Sequence, residues 1–409
     1  MSPTFLHAAV RTPLLSLILA VSATSALAPR AAAQGTPFVL ESISAGADHA
    51  CGITPQHVAW CWGSNADGAL GNPAVTAPCA GGTEPCSAKP VRVAGAVLFA
   101  SISAGAGFTC ALSTAGVAYC WGGNAYGQLG IGSQEASNRP TRVGIEGVTF
   151  AAISAGDSHA CAVTTAGVAY CWGSNAGGKL GTGRAGGGHT VPVPVAGHLL
   201  FRAISAGYFH TCALTRDGTI YCWGRNEMGE VGNSPRAQAP APVRVAGGGF
   251  RFVHAAARFD YTCAVDADGA LRCWGADCFA QLGVDSLTET CGTPAMPCSS
   301  TPATVRISAK VQSVSDTYSH TCALTQDGGV LCWGENNAGQ VGNGTGGESV
   351  GRPTAVPGVL GYRAISAGRE FTCGITSDGT PACWGLNDHG QLGNGTGENR
   401  TTPTPVAAP

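Results

Sequence analysis

Fourteen of the chain's 19 cysteines share one spacing: a Cys, nine residues, then Cys-Trp-Gly. The pairs are Cys51 and Cys61, Cys110 and Cys120, Cys161 and Cys171, Cys212 and Cys222, Cys263 and Cys273, Cys322 and Cys332, and Cys373 and Cys383. Two chemistries suit such pairs. One is disulfide bonding. The other is metal ligation, because thiolates beside an imidazole make a tetrahedral zinc site. His49, Cys51 and Cys61 offer three ligands of that kind. The slot of His49, however, holds Phe108, Tyr261 and Phe371 in other copies. A position that accepts Phe is a packing position, so no metal is expected, and no cofactor.

Five cysteines remain. Cys79 and Cys86, and likewise Cys291 and Cys298, are Cys-x6-Cys pairs in matching insertions and read as two further bridges. Cys278 is odd, in a slot held elsewhere by Ala66, Ala125 and Ala176. It is read first as a buried small residue, with a free thiol or an intermolecular bridge as alternatives. Other constellations fail a comparison between copies. Gly173–Lys179 resembles a phosphate loop, but Leu180 stands where Ser or Thr must bind magnesium. Ser158 and His159 suggest a nucleophile and base, yet Ser158 aligns with Asp48, Gly107 and Phe209, and no third group is placed. Asn343 and Asn394 fit the glycosylation pattern but sit in Gly-rich turns, and are read as turns.

The elements that position these residues are β-strands. In Thr211–Trp223, apolar and polar residues alternate on both sides of Thr-Arg-Asp-Gly, a hairpin signal in which Gly218 takes positive φ. That hairpin sets Cys212 opposite Cys222, close enough to bridge. The seven Trp of the repeat are spaced 59, 51, 51, 51, 59 and 51 residues apart, and a fixed period of this size decides the fold. Each copy supplies four short strands; in the third they lie near Pro140–Val143, Thr149–Ala155, His159–Val163 and Val168–Trp172. Four-stranded units repeated this often predict an all-β, seven-bladed β-propeller. The first copy lacks the Pro-x-x-Val strand that precedes the others, and the chain ends on such a strand, Pro403–Val406. The expectation is a ring closed by pairing the C-terminal strand with the N-terminal blade.

Residues 1–33 read as a signal peptide: Arg11, an apolar core Leu14–Ala20, then Ala31-Ala32-Ala33, with Ala28 a second cleavage point. That core is too short to span a bilayer. Residues 34–409 then form one propeller domain in an exported protein, periplasmic, cell-surface or extracellular, where paired cysteines are at home. The full chain has 22 Lys and Arg against 24 Asp and Glu. Without Arg11 and Arg30 the balance is 20 to 24, or −4, which disfavours nucleic acid as a partner.

Ser-Ala-Gly-x-x-His-x-Cys-Ala-Leu followed by Trp-Gly-x-Asn-x-x-Gly-Gln-Leu-Gly resembles the regulator of chromosome condensation repeat, over residues ~37–409. The resemblance implies a seven-bladed propeller. It also implies guanine-nucleotide exchange as one activity. Against this, the 51-residue spacing of the middle blades leaves no room for the protruding wedge that the exchange factor uses. Exported relatives in the resembling group look like scaffolds. A third reading is a hydrolase or lyase at the channel mouth, but no acid–base pair, nucleophile or metal set stands out.

The chain is therefore read as a monomeric, non-enzymatic, disulfide-stapled scaffold for a protein or other macromolecule. The candidate contacts are residues that escape the repeat around Ser-Ala-Gly in blades four to six: Tyr208, Phe209, Arg258, Phe259, Asp260, Asp316 and Tyr318. Loops held on a rigid frame carry most functional variation. The two insertions, Asn72–Lys89 and Val284–Thr301, occupy the same slot of blades one and five. They are expected on one face, about 154° apart around a ring of seven.

Overall fold

The computed structural model describes residues 37–409, apart from 80–81, 235–236, 248–251, 258–259 and 359–360. The segment read as a signal peptide, residues 1–33, lies outside the described residues, as do Arg258 and Phe259. From Phe38 on, the chain forms seven antiparallel blades in a ring, as the period predicts. Blade four shows the pattern: Phe201–Ala206, His210–Thr215, Ile220–Gly224 and Ala239–Arg244, hydrogen-bonded in that order. Blade five carries a fifth strand, because its insertion folds Glu289–Cys291 onto the lengthened fourth strand Met296–Thr304.

The hairpin register is the expected one. Cys212 faces Cys222 across the second and third strands of blade four, and the other six pairs face each other likewise. All seven stand at disulfide distance, with Cα atoms 4.0–4.1 Å apart. Cys79–Cys86 and Cys291–Cys298 complete nine pairs. Gly218 closes its hairpin at φ 86°.

Ring closure differs from the expectation. The Pro-x-x-Val strand does not open the following blade; it finishes the preceding one. The last strand, Arg400–Pro405, pairs with Pro381–Gly385 inside blade seven, Cys383 facing Thr404. Every blade is thus contiguous in sequence, and no blade is shared between the two ends. The physical reason is proximity: the third strand's turn folds straight back to form the fourth strand, whereas the next connection crosses to a new blade.

What closes the ring is lateral packing, repeated at every seam. Each Trp indole N–H donates to a backbone carbonyl in the Gly-x-Leu-Gly turn of the preceding blade. Trp223 reaches Lys179 O at 3.0 Å, and Trp62 reaches Gln391 O at 2.9 Å across the seam between blades one and seven. The glycine two residues past that carbonyl must be glycine. At Gly181, φ is 70° and a Cβ would lie 2.7 Å from the Trp223 indole nitrogen. Leu40, Ala45 and Trp62 pack with Phe371, Ile375, Leu392 and Val406, so the C-terminus does support the closing seam. All seven Trp are fully buried.

A second seam bond runs between first strands. Ser205 Oγ accepts from Ala257 N at 3.0 Å, and five other seams repeat this. Between blades five and six the serine slot holds Ala256. There the Tyr261 hydroxyl accepts from Thr317 N at 3.2 Å and donates to His320 O at 2.7 Å.

Candidate functional site

Two kinds of turn share one face of the ring. The turn after each first strand lines the central channel. The turn after each third strand, Trp-Gly-x-Asn-x-x-Gly, lies farther out. The channel mouth is narrow. Among the described residues, Asp157, Tyr208, Tyr318 and Arg369 line it together with glycines and alanines of blades one and two, around a volume of ≈ 30 Å³. The space between these residues is small beside ligand pockets, which usually hold several hundred Å³.

The structure brings part of the expected set together. The Tyr208 and Tyr318 rings meet edge to face, with centroids 5.8 Å apart, although the residues lie two blades apart. Phe209 packs on Tyr208 with centroids 4.2 Å apart. All three rings are half-buried, neither plugs sealed in the channel nor fully exposed. Asp260 is also half-buried and forms an ion pair with Arg225.

Asp316 is corrected. It is wholly buried, so it lies beneath the surface and cannot meet a partner. The cause is register. Asp316 takes the slot of Ala206 and Ala257, whose side chains point into the seams and are at most 1% exposed. Cys278 is corrected too. It is an exposed free thiol, with Sγ 3.3 Å from Met296 Sδ.

Sequence reasoning missed Arg225, Glu230 and Lys179. Arg225 stacks its guanidinium 3.7 Å from the Phe209 ring centre and bonds Glu230 Oε1 through Nε at 3.2 Å. Glu230 is fully buried. Burial pushes its carboxyl up to about 7, the nearby Asp260 adds to the rise, and Arg225 opposes it. Lys179 is almost fully buried and donates to Ser158 Oγ at 2.7 Å and Tyr208 O at 3.0 Å. Burial lowers its ammonium to about 8, against the pull of Asp157. Both residues take the slot of Gln128, Gln281, Gln340 and Gln391. That departure was a readable signal.

The remaining motifs are structural. His49 Nε2 lies 2.8 Å from Thr109 Oγ1, whose hydroxyl donates to Ala69 O, so the imidazole donates. Burial lowers the His49 pKa to about 4 and keeps the ring neutral. With Cys51 and Cys61 paired, no zinc set remains there. Glu289, Cys291 and Cys298 also cluster, but their sulfurs are paired with each other. Asn343 and Asn394 accept from Thr345 N and Thr396 N, the Asx turns that their sequence suggests.

Both insertions rise on the loop face. Glu84 borders a hollow with Asp48, Asp67 and His389. The blade-five insertion packs Cys291, Cys298 and Met296 against Met228 of the blade-four turn.

Among known proteins, residues 144–409 match the family model described as RCC1-like domain, and residues 57–112 and 115–163 match the Regulator of chromosome condensation (RCC1) repeat. The ultraviolet-B receptor UVR8 of Arabidopsis thaliana is 30% identical over 375 residues, 90% of this chain and 81% of that protein. The human E3 ubiquitin-protein ligase HERC2 is 31% identical over 363 residues, 85% of this chain but 7% of that protein. Among solved structures, human WBSCR16 superposes with a TM-score of 0.75 at 23% identity, covering 86% of this chain and 94% of its own. Prp20p of Saccharomyces cerevisiae gives 0.73 at 20%, covering 87% of each. At these identities the superpositions establish the fold alone.

Proposed function

The chain belongs to the regulator of chromosome condensation (RCC1) repeat family, and from that premise we propose that it is an exported, non-catalytic scaffold that captures a protein partner on its loop face. The observation that carries this reading is the aromatic cluster of Tyr208, Phe209 and Tyr318 beside Arg225, over a mouth of ≈ 30 Å³. Half-buried aromatics beside an arginine suit an interface hot spot, because they bury large area at small entropic cost. A mouth this small between its described residues suits a platform better than a hydrolase or lyase.

Protein binding by a relative adds support: yeast Prp20p is described by its binding to Gsp1p and histones. Export rests on the N-terminal sequence and on nine cysteine pairs, which are at home in an oxidising compartment. The test is affinity capture from the secreted or periplasmic fraction, with wild type beside Tyr208→Ala/Tyr318→Ala. A partner retained by wild type and lost, by tenfold or more, from the double variant is the expected result. Equal retention by both overturns the assignment of the mouth.

A further inference from the structure

Over the whole chain acidic and basic residues nearly balance, 24 to 22. On the loop face they do not. The two residues after each first-strand turn glycine, or its equivalent, and the six after each Trp-Gly, hold 10 Asp and Glu but only 3 Lys and Arg over the seven blades. Those three cations are already engaged, and a fourth, Arg258 in the glycine slot of blade five itself, lies outside the described residues. Lys179 is buried against Ser158 and Tyr208, Arg225 joins Asp260 and Glu230, and Arg369 joins Asp48.

No described Lys or Arg lies within ion-pairing distance of Asp67, Glu227, Asp277, Glu335, Glu370 or Asp388. Of these, Asp67, Glu227 and Asp388 are exposed, on blades one, four and seven. The carboxylates also feel one another. Glu84 helps burial raise Asp67, and Glu335, Asp48 and Asp388 help it raise Glu370 against the pull of the neighbouring Arg369. The acids are spread around the ring rather than gathered on one point, so the field belongs to the whole face. Two apolar rings stand among them in one slot of the outer turn: Tyr126, 58% exposed, and Phe279, 41% exposed.

We infer that the loop face recognises a cationic protein surface, one rich in Lys and Arg. This rests on the docking reading above and narrows it. A carboxylate field reaching about one Debye length, ~8 Å in physiological salt, steers such a surface toward the face and repels polyanions. Tyr126 and Phe279 then offer π faces to arriving guanidinium or ammonium groups. The aromatic cluster at the mouth supplies the buried contact, and the outer acids select what reaches it.

The probe is an Arg- and Lys-rich peptide of about 12 residues, compared with its Glu-substituted counterpart, against the immobilised full chain. The cationic peptide should bind, the acidic one should not, and affinity should fall roughly tenfold or more between about 50 and 300 mM NaCl. Asp67→Asn/Glu227→Gln/Asp388→Asn should weaken binding about tenfold at low salt. Asp217→Asn/Asp327→Asn/Asp378→Asn, an equal charge loss at exposed hairpins on the other face, should not. Peptides of both charges binding alike, or both triple variants behaving alike, overturns the inference.

The captured partner separates this inference from the docking reading. If it needs Tyr208 and Tyr318 but binds independently of salt, the charge inference falls and docking stands. If the cationic peptide binds as expected while the partner ignores both tyrosines, the mouth assignment falls and the acidic face stands.

Discussion

The seams and the loop face are built from the same repeat, yet they use its positions oppositely. At a seam every slot is filled by geometry: a buried indole, a carbonyl 2.9–3.0 Å away, and a glycine with no room for a Cβ. On the loop face the slots next to Ser-Ala-Gly run through Ala, Gly, Asp, Tyr, Phe and Arg without disturbing the strands beneath. The Gln slot lies between the two regimes. Its backbone carbonyl serves the seam in all seven blades, while its side chain becomes Lys179 and Glu230 where the aromatic cluster sits. The contrast shows how the ring separates folding from recognition: the outer turns serve the seams through their backbone carbonyls, which leaves the side chains of those turns free to diverge.

The largest effect should come from breaking a seam. Trp223→Ala removes a fully buried ring and its bond to Lys179 O, and should cost ~3–5 kcal/mol in denaturant unfolding. A loss under about 1 kcal/mol would mean that the seams are not what holds the blades together. Cys212→Ala/Cys222→Ala should cost less, ~2–3 kcal/mol, because the pair closes only a short loop. Thiol labelling of native wild type should modify one residue, Cys278; labelling of the hairpin cysteines without denaturant would refute their pairing.

The smallest stability effect sharpens the boundary between the two regions and depends on pH. Glu230 has its folded pKa raised from 4.5 to about 7. A raised folded value means that stability is fully present below the unfolded value and is lost as pH rises through the folded one. Glu230→Gln keeps an oxygen to accept from Met228 N, as Gln340 does from Ala338 N. It should therefore match wild type near pH 4 and exceed it by roughly 1–2 kcal/mol at pH 8. Melting curves across that range decide it, and a variant less stable than wild type at pH 8 would show that the Arg225 pair outweighs burial.

Fold and site were unequally legible. Cys-x9-Cys-Trp-Gly carried the blade count, the hairpins and the paired cysteines, because period and register are local properties. The phase of the blade was misread: Pro403–Val406 looks like a strand missing from the first copy, and only pairing partners show that it completes the last. Depth was misread where side-chain direction matters. Asp316 varies like a surface residue but points into a seam. Cys278 sits among alanines that suggest burial, yet Ala66, Ala125 and Ala176 are themselves exposed. Arg225 was invisible because its role comes from Phe209, Glu230 and Asp260, which the chain brings together only after folding.

The docking claim is tested most directly by photo-cross-linking from each face. A photoreactive amino acid at position 208 sits at the channel mouth. One in place of Arg216 sits at the exposed hairpin on the far end of the same second strand, about 20 Å away. Exposed to the exported fraction that contains the partner, the chain should give a discrete cross-linked protein from position 208 and none from position 216. A cross-link that forms from position 216 and not from position 208 would put the partner on the opposite face and contradict the account.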